Sequence, residues 1–394
     1  MRPKASLYLS AKGVQGLAQS WLAEAVPLAD HGWKCTANVV WQVVLMAAAC
    51  VTSLAAVCGR LKSAPCDEAV RKALRACLPK DMAKLEADLQ KSLSKGLDRS
   101  FFRKSWNIAI DLHLEPYYGE PLKNNKELYR SRSQSGTSTF HAYATACVVE
   151  HGRRYTLAIT CVSGGEKLEA VLQRLLDRLQ TLGVKTRKLL LDRQFFTSSV
   201  IALLKTKSLA FIIPIMLRGR KPKSGKNPKK DALPSLRSFK TRRPGRYNFT
   251  WTTGKETVAF QVVVSWKQYV YGKTGRRRKK TMLFAVSGVA GSPREIREQY
   301  RQRFGIESTY RQFHHAKIYT STRDPLLRLF FAAVAFVLRN VWVWLHLHLL
   351  SENRGTHKEL HLERLRFRRL LAWISDLVTN CLGPDLAIEH EVLL

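Results

Sequence analysis

The sequence is poor in acidic residues. It contains 30 Asp+Glu against 66 Lys+Arg, which gives its 394 residues a formal net charge of +36. Hydrophobic residues make up 45% of the chain, enough for a sizeable core and for two or three structural units, so global disorder is excluded. A surface this basic indicates a polyanionic partner, and nucleic acid is the leading candidate.

Paired cysteines are also lacking. Eight cysteines are scattered without a C-x-x-C pair or a regular spacing, which argues against a zinc ribbon and against a secreted disulfide scaffold. No secretory signal is evident in the first fifteen residues, because they hold no apolar core followed by a small-residue cleavage site. We therefore expect a cytoplasmic, nucleoid-associated protein with no membrane partner.

Long uncharged runs are few. Residues 37–58 form an uncharged run of 22 residues. This run is long enough either for a membrane span or for a buried helix of a bundle. Its polar residues, including Asn38 and Gln42, and its richness in alanine favour the buried helix. The apolar run at 326–350 is interrupted by two arginines, so it is expected to be a core helix.

The first hundred residues show helical patterns, and we treat 1–100 as an N-terminal helical domain that is a candidate for DNA binding. Residues 67–77 and 81–95 form two short amphipathic segments separated by a Leu-Pro step. Two short helices and a turn are compatible with helix-turn-helix DNA recognition. Plain helical packing gives the same pattern, and the sequence leaves both open.

From residue 101 the apolar residues recur with the spacing typical of β-strands. The order of the predicted elements indicates an α/β core with a mixed sheet. The predicted elements are strands at 106–111, 139–149, 155–161 and 188–192, with a helix at 166–182. We place the first part of this core at 101–215 and the second part at 286–350. A C-terminal helical region follows at 351–394, with helix predicted for much of 357–378.

Between the two parts of the core lies a basic insertion at 216–285. Residues 218–280 hold 20 Lys+Arg and 2 acids. The pattern predicts strands at 247–252 and 258–266 and a loop at the run Arg276, Arg277, Arg278, Lys279 and Lys280. Aromatic residues interleave with the charges, Trp251 and Trp266 among them, which favours contact with phosphates and bases over a merely solvated surface.

Three carboxylates are candidates for chemistry. Asp111 and Asp192 each end a predicted buried strand, and strand ends of an α/β sheet are where sites form. Carboxylates brought together there suit a hard cation such as Mg²⁺. For either aspartate alone, a turn or a helix cap is the plainer interpretation. The third carboxylate is Glu307; Glu115 and Glu120 are expected near the site or on the surface, without binding metal.

Glu307 lies in a predicted continuous helix at 293–313. One face of this helix carries five residues at steps of three and four: Tyr300, Arg303, Glu307, Arg311 and His314. A stripe that mixes a carboxylate with cations and a tyrosine is a poor core face. An ordinary i,i+4 ion pair between Arg303 and Glu307 is the alternative.

The motif Tyr-x2-Arg-x3-Glu at 300, 303 and 307, preceded by Asp111 and Asp192, resembles the DDE transposases of bacterial and archaeal insertion sequences. Within them the sequence is most similar to the group with the Tyr-Arg-Glu-Lys signature, insertion-sequence family four and its relatives. Supporting segments lie at 110–119, at 191–195, and at 322–325 with 338–342. The similarity covers roughly residues 100–345.

The sequence departs from that pattern at one position. The family has a lysine seven residues after the glutamate, and this chain has His314 there. An unperturbed histidine is mostly uncharged at neutral pH. Lys317 is close in sequence but turned about 80° away from the stripe, and Arg311 is a substitute cation on the stripe itself.

The resemblance implies a ribonuclease-H-like core in which Asp111, Asp192 and Glu307 hold two divalent ions, with Asp111 bridging them. The ions would be Mg²⁺, with Mn²⁺ able to substitute. It also implies partners: DNA in the form of terminal inverted repeats and target, and a second copy of the chain in a homodimer. The expected DNA-contacting residues are Tyr300, Arg303, Arg311, His314, Lys317, Arg276, Arg277, Arg278, Trp251 and Trp266.

The implied reaction is cut-and-paste transposition, with hairpin ends as one route. In that route Trp251 or Trp266 would hold a flipped base. Two alternatives stay open at this point. One is a ribonuclease-H-like nuclease that cuts a DNA structure without joining strands, and the other is a catalytically silent DNA-binding relative.

Overall fold

The computed structural model describes residues 8–120, 127–150, 152–217, 236–253, 256–271, 275–354 and 357–385. Part of the predicted basic insertion, 218–235, therefore lies outside the described residues. The side chains of Arg276, Arg277 and Arg278 lie outside them too, although the backbone there is described.

Six helices precede the first strand. They are α1 (Ala11–Ala23), α2 (Ala37–Ala49), α3 (Leu54–Cys58), α4 (Asp67–Cys77), α5 (Met82–Ser94) and α6 (Arg99–Arg103). The uncharged run at 37–58 is thus two helices with a break between them. At 1.5 Å per residue the 13 residues of α2 reach about 20 Å, short of the roughly 30 Å hydrocarbon core of a bilayer. Most of α2 is buried in the protein, as the buried-helix interpretation predicts.

The middle of the chain alternates strands and helices. Its elements are β1 (Ser105–Pro116), β2 (Tyr129–Gln134), β3 (Thr137–Val148), β4 (Thr156–Val162), α7 (Leu168–Thr181), β5 (Lys185–Leu191), α8 (Ser198–Thr206) and β6 (Phe211–Pro214). Helix α7 ends where Gly183 takes a φ of 72°, a conformation that glycine adopts without strain. Strand β2 was not expected from the sequence, since four of its six residues are exposed and none is fully buried.

The rest of the chain completes the sheet and adds four helices. Its elements are β7 (Gly245–Thr253), β8 (Glu256–Tyr271), β9 (Arg276–Ser287), α9 (Pro293–Arg301), α10 (Phe304–Phe313), α11 (Pro325–Leu345), β10 (Glu352–Arg354), β11 (His357–Glu359) and α12 (Phe367–Leu382). Two expectations were wrong, because the basic run 276–280 begins a strand and the helix expected at 293–313 is interrupted after Arg301. Much of 357–378 is helical, as expected, within α12.

One nine-stranded sheet organises the described residues, in the order β2-β3-β1-β5-β6-β9-β8-β7, with β4 also on β3. Strands β1, β3 and β4 pair antiparallel, and β5 and β6 run parallel to β1. Strand β9 pairs antiparallel with β6. The insertion therefore continues the sheet of the core. On one face, α9 and α10 cover a compact apolar cluster built from β1, β5, β6, β8 and β9, which includes Ala109, Leu190 and Phe284.

Helix α11 is the long apolar helix at the centre of the helical layer. Together with the π-helical turn His346–Leu350 it forms the one segment, among the residues described, that is long and apolar enough to cross a membrane. Its most apolar window is 89% buried inside the protein, against α1, α2, α5, α10 and α12. It is a core helix, as expected from the arginines within it.

Buried hydrogen bonds join the N-terminal helices to the core. The Asn340 amide nitrogen on α11 donates to the carbonyls of Leu93 and Thr156, and its oxygen accepts from the Thr156 amide. Glu86 on α5 accepts from Thr160 and from the Cys161 amide, and it pairs with Arg178 on α7. Because these atoms are buried, they need one another as partners. The N-terminal helices and the sheet form one body.

Candidate active site

Two of the predicted carboxylates meet through the parallel register of β1 and β5. Ile110 lies beside Leu191 at the last pair of this ladder, so the residues that follow, Asp111 and Asp192, come side by side. Asp192 ends its strand as expected. Asp111 does not, because β1 continues five residues further while pairing only with β3.

The third carboxylate lies on α10. Glu307 lies in its first turn, with 45% of its side chain exposed. Arg303 lies at the break between α9 and α10, and its guanidinium reaches all three acids. Its nitrogens are 3.0 Å from an Asp111 oxygen, 2.6 Å from Glu307 and 4.0 Å from Asp192. The sequence predicts the convergence of these residues, and the break in the helix aims Arg303 at its centre.

The charge state of Asp111 reflects its surroundings. Burial raises the pKa of Asp111 to about 6, and the negative charge of Asp192 adds to this effect. The guanidinium of Arg303 and a hydrogen bond from the Leu112 amide oppose it. Asp111 is therefore ionised at neutral pH but becomes protonated in mildly acidic solution.

Two tyrosine hydroxyls fix the catalytic helices to the sheet. Tyr300 on α9 is 8% exposed, and its hydroxyl donates to the carbonyl of Leu191, the residue before Asp192. Tyr310 on α10 donates to the carbonyl of Asp111 and contacts the Thr145 hydroxyl at 2.8 Å. The sequence reasoning missed Tyr310. Its spacing, three residues after Glu307, places it on the helix face that meets the sheet, which is the signal that could have found it.

Near the end of the predicted stripe, His314 and Lys317 lie next to side chains of the protein itself. Lys317 pairs with Glu115, a carboxylate of β1 only 9% exposed, which also lies 2.5 Å from His113. Burial opposes the ionisation of Glu115, but the hydrogen bond from His113 and the charge of Lys317 outweigh it and hold its pKa at about 2. Partial burial and the neighbouring His113 lower the pKa of His314. Neither Lys317 nor His314 therefore offers a free positive charge here.

Arg311 is the remaining cation of the stripe. It is exposed, one turn beyond Glu307, and no carboxylate pairs with it among the side chains that the structure describes. The substitute cation expected from the sequence is thus available to a phosphate.

The two candidate tryptophans differ in their environment. Trp251 on β7 stacks on Phe196 at 4.9 Å and contacts Phe260, so it packs the insertion against the core. Trp266 on β8 is 37% exposed and lines a cavity of about 640 Å³ between the β8–β9 hairpin and the helices α9 and α10. Tyr300 and Phe304 line the same cavity, whereas Trp251 borders a separate cavity of about 340 Å³ together with Phe196 and Met216.

The three carboxylates are suitable ligands for a divalent metal ion, although they are arranged around an arginine. Asp111, Asp192 and Glu307 offer carboxylate oxygens, which hard divalent cations prefer. Among the described residues no three acidic, histidine or cysteine side chains converge closely enough to form a preformed metal site. The three acids surround the Arg303 guanidinium instead.

Comparisons with known proteins agree with the site. The family model described as transposase DDE domain matches residues 109–338, a span that includes Asp111, Asp192 and Glu307. The fold is similar to that in the cryo-EM structure of a piggyBac transposase synaptic complex with hairpin DNA, with a TM-score of 0.51 and 11% identity. The alignment covers 96% of this chain and 83% of the other.

No curated protein matches the chain in sequence. The similar structure confirms the ribonuclease-H-like fold class predicted from the sequence. The family model spans more than half of the chain, and enzymes of this family cut DNA and transfer its strands, generally with divalent metal ions. The chain belongs to the transposase DDE domain family and is a DNA transposase.

Proposed function

We propose that this transposase cuts and rejoins phosphodiesters at the ends of its own insertion sequence, by cut and paste. Asp111, Asp192 and Glu307 would hold two Mg²⁺ ions, for which Mn²⁺ can substitute. When bound, such a pair of ions activates the attacking hydroxyl and stabilises the leaving oxygen of the cleaved strand. The observation that carries the proposal is the convergence of the three carboxylates on one point, the Arg303 guanidinium.

The neighbouring side chains position this triad. Tyr300 and Tyr310 hold the carbonyls next to Asp192 and Asp111, so the two aspartates keep their spacing when substrate enters. Arg303 balances the negative charge of the three acids in the resting protein. Arg303 would have to release at least one carboxylate if two bound ions added four positive charges at the same place. A DNA phosphate is the natural new partner for its guanidinium.

The partners follow from the same reaction. We propose that the chain binds terminal inverted repeats and target DNA, that two copies form a homodimer when two ends are joined, and that it works in the cytoplasm on the nucleoid. The piggyBac complex is a synaptic assembly with hairpin DNA. For this chain, Trp266 is better placed than Trp251 to hold a flipped base on a hairpin route, because Trp266 lines a cavity with Tyr300, whereas Trp251 stacks on Phe196 and meets Phe260 edge-on.

The test is cleavage of a supercoiled plasmid that carries this gene with its native flanks. Wild type and Asp192→Asn are compared in Mg²⁺, in Mn²⁺ and in EDTA, and the breaks are mapped. We expect metal-dependent breaks at the element ends with wild type alone, followed by joining to new DNA.

Each other outcome has a defined meaning. Breaks without joined products would indicate a nuclease that recognises a DNA structure. Binding without breaks in all three conditions would indicate a catalytically silent relative, in which Arg303 is the permanent partner of the acids. Breaks that persist in Asp192→Asn would remove Asp192 from the triad.

A further inference from the structure

The β8–β9 hairpin continues beyond β7 as a two-stranded ribbon, and at its base the Thr281 hydroxyl donates to the carbonyl of Lys240. Strand β7 pairs with β8 no further than Val264, whereas β8 and β9 remain paired as far as Tyr271 and Arg276. We call residues 265–271 and 276–282 the ribbon. Val262, Val263 and Val264 are buried, but all five residues from Trp266 to Val270 are exposed. Consecutive residues of a strand point to opposite faces, so both faces of the ribbon meet solvent.

The ribbon is purely cationic. Its fourteen residues contain six cations and no acid; the cations are Lys267, Arg276, Arg277, Arg278, Lys279 and Lys280. Lys267, Lys279 and Lys280 have no carboxylate partner among the side chains that the structure describes. Exposed apolar and aromatic side chains, Tyr269 and Val270, lie among these cations. A charge density that the protein itself does not neutralise fits a polyanion.

The dimensions of the ribbon select the kind of polyanion. Seven residues at about 3.4 Å each make a strand of roughly 24 Å, and two strands lie about 4.8 Å apart. The major groove of B-form DNA is about 12 Å wide and admits a two-stranded ribbon, whereas the minor groove, about 6 Å wide, would have to be widened to take one. Phosphates on both walls of the groove would then lie close to the lysines of both strands.

The base of the ribbon is fixed beside the active site. The Arg297 guanidinium on α9 donates to the carbonyl of Trp266, and Trp266, Lys279 and Tyr300 line one cavity. Arg294 and Arg301 of α9 line it as well. A duplex that reaches the carboxylates past Tyr300 therefore passes along the ribbon.

We propose that the ribbon lies in the major groove of the duplex being cleaved and binds its phosphates without sequence preference. The proposal rests on the DNA-cleaving function and adds to it a groove-binding arm separate from the carboxylates. The arm consists of two short strands that contact phosphates. Its role is therefore to set the orientation of the duplex at the active site.

The first experiment measures the salt dependence of binding to a short synthetic duplex of arbitrary sequence, between about 50 and 200 mM salt. The triple variant Lys267→Gln, Lys279→Gln, Lys280→Gln is compared with Lys104→Gln, Lys185→Gln, Lys205→Gln. The control lysines are exposed: Lys104 precedes β1, Lys185 begins β5, and Lys205 lies in the last turn of α8, which leads to β6. Because β9 runs antiparallel to β6, the ribbon lies beyond the other end of these strands. Both triples lose the same net charge.

We expect the ribbon triple to bind about tenfold more weakly and its log–log salt slope to fall by up to about 2.7, because each phosphate contact contributes about 0.9. The control triple should keep the wild-type slope. Equal slope changes in both triples would mean that the ribbon lysines act only through the overall charge of the protein, which would overturn the proposal. So would an unchanged slope in the ribbon triple, or a loss seen only on single-stranded DNA.

The second experiment removes the ribbon and tests the groove. Residues 267–280 are replaced by Asn-Gly between the register partners Trp266 and Thr281, a two-residue turn suited to a hairpin. Thermal unfolding checks that the shortened protein folds. Wild type should protect guanine N7, a major-groove atom, from dimethyl sulfate, and the shortened protein should not. Protection that persists without the ribbon contradicts the proposal.

The two experiments are independent of the cleavage assay. If wild type fails to cut the plasmid while only the ribbon triple has a reduced salt slope, the groove-binding proposal is supported and the transposition proposal is contradicted. If metal-dependent cleavage occurs while both triples keep the same slope, transposition stands and the arm fails.

Discussion

Two basic regions of this molecule use their cations in opposite ways. Around the active site, Arg303 contacts three carboxylates and Lys317 pairs with a buried one. In the ribbon, six cations occur in fourteen residues with no acid. The first set of cations is neutralised inside the protein and holds its geometry. In the second set, Lys267, Lys279 and Lys280 have no carboxylate partner among the side chains that the structure describes. Net charge alone does not separate the two roles, because only the contacts show which cations remain free.

The sharpest way to test this contrast compares two arginines of one helical stripe. Arg303→Gln leaves three acids without their common partner, so the free energy of unfolding should fall by about 3–5 kcal/mol without metal, as in other cases where one partner of a buried ion pair is removed. Mg²⁺ should restore part of that loss and raise the unfolding temperature more than it does in wild type. Differential scanning calorimetry with Mg²⁺ and with EDTA measures both effects.

Arg311→Gln is the matched control, since Arg311 is exposed and has no carboxylate partner within the described ranges. We expect its stability to stay within about 0.5 kcal/mol of wild type, with weaker DNA binding as its only effect. A comparable loss of stability in both variants would contradict the division into paired and free cations.

The next prediction concerns Glu115. Its pKa of about 2 lies below the 4.5 of an ordinary glutamate, so its ionised form stabilises the fold above about pH 4.5, and that contribution is lost as pH falls toward 2. A difference of about 2.5 pKa units corresponds to about 3 kcal/mol. Glu115→Gln should therefore lower the free energy of unfolding by about this amount at pH 7, measured by urea denaturation.

Two comparisons check that the effect is electrostatic. Glu120→Gln, at an exposed position five residues further along the chain, should change stability by less than about 0.5 kcal/mol. The difference between wild type and Glu115→Gln should shrink as the pH is lowered below about 4.5. A difference that does not depend on pH would mean that packing, and not charge, explains the loss.

A smaller effect distinguishes the two tryptophans. Trp251→Ala should lower the free energy of unfolding by about 2 kcal/mol or more, because it removes a ring stacked on Phe196. Trp266→Ala should leave stability nearly unchanged and slow hairpin formation on element-end DNA. Chemical denaturation of both variants, with hairpin products followed on denaturing gels, gives the result. Loss of hairpins in a Trp251 variant that is still fully folded would reverse the assignment.

The smallest expected effect is the pH dependence of metal binding. Because the pKa of Asp111 is raised to about 6, protons compete with the ion below that pH, and affinity should fall about tenfold, or 1.4 kcal/mol, per pH unit. The folded pKa lies above the ordinary value of 3.8. Without metal, Asp111 therefore makes the fold more stable as pH falls from about 6 to 4, the opposite of the trend for Glu115.

Titration calorimetry with Mn²⁺ at about pH 7.5, 6 and 5 measures this dependence. Asp111→Asn, which has no carboxylate to protonate, is the control and should show a weak but flat affinity. An affinity in wild type that does not change between pH 7.5 and 5 would show that Asp111 is not a ligand.

The sequence predicts the sheet core and the triad because both depend on short-range patterns. Apolar runs mark β1, β3, β4 and β5, and the spacing from Tyr300 to Glu307 marks the helical stripe. It misplaces the strand of Arg276 and Lys279, because strand pairing between charged, exposed segments depends on the partner strand and not on the local pattern. Likewise, the pairing of Lys317 with Glu115 joins residues 202 positions apart, which no local spacing indicates.

The side chain of Asn340 has a consequence for how this chain can be divided. Its three hydrogen bonds join α5, β4 and α11 in the interior, so residue 100 is a boundary in composition but not in the packed protein. Exchanging residues 1–100 for a segment that displaces the Leu93 carbonyl or lacks Glu86 would leave the Asn340 amide, or Thr160 and Arg178, without these buried partners, at about 1–3 kcal/mol each. A replacement for the N-terminal helices therefore has to keep these contacts.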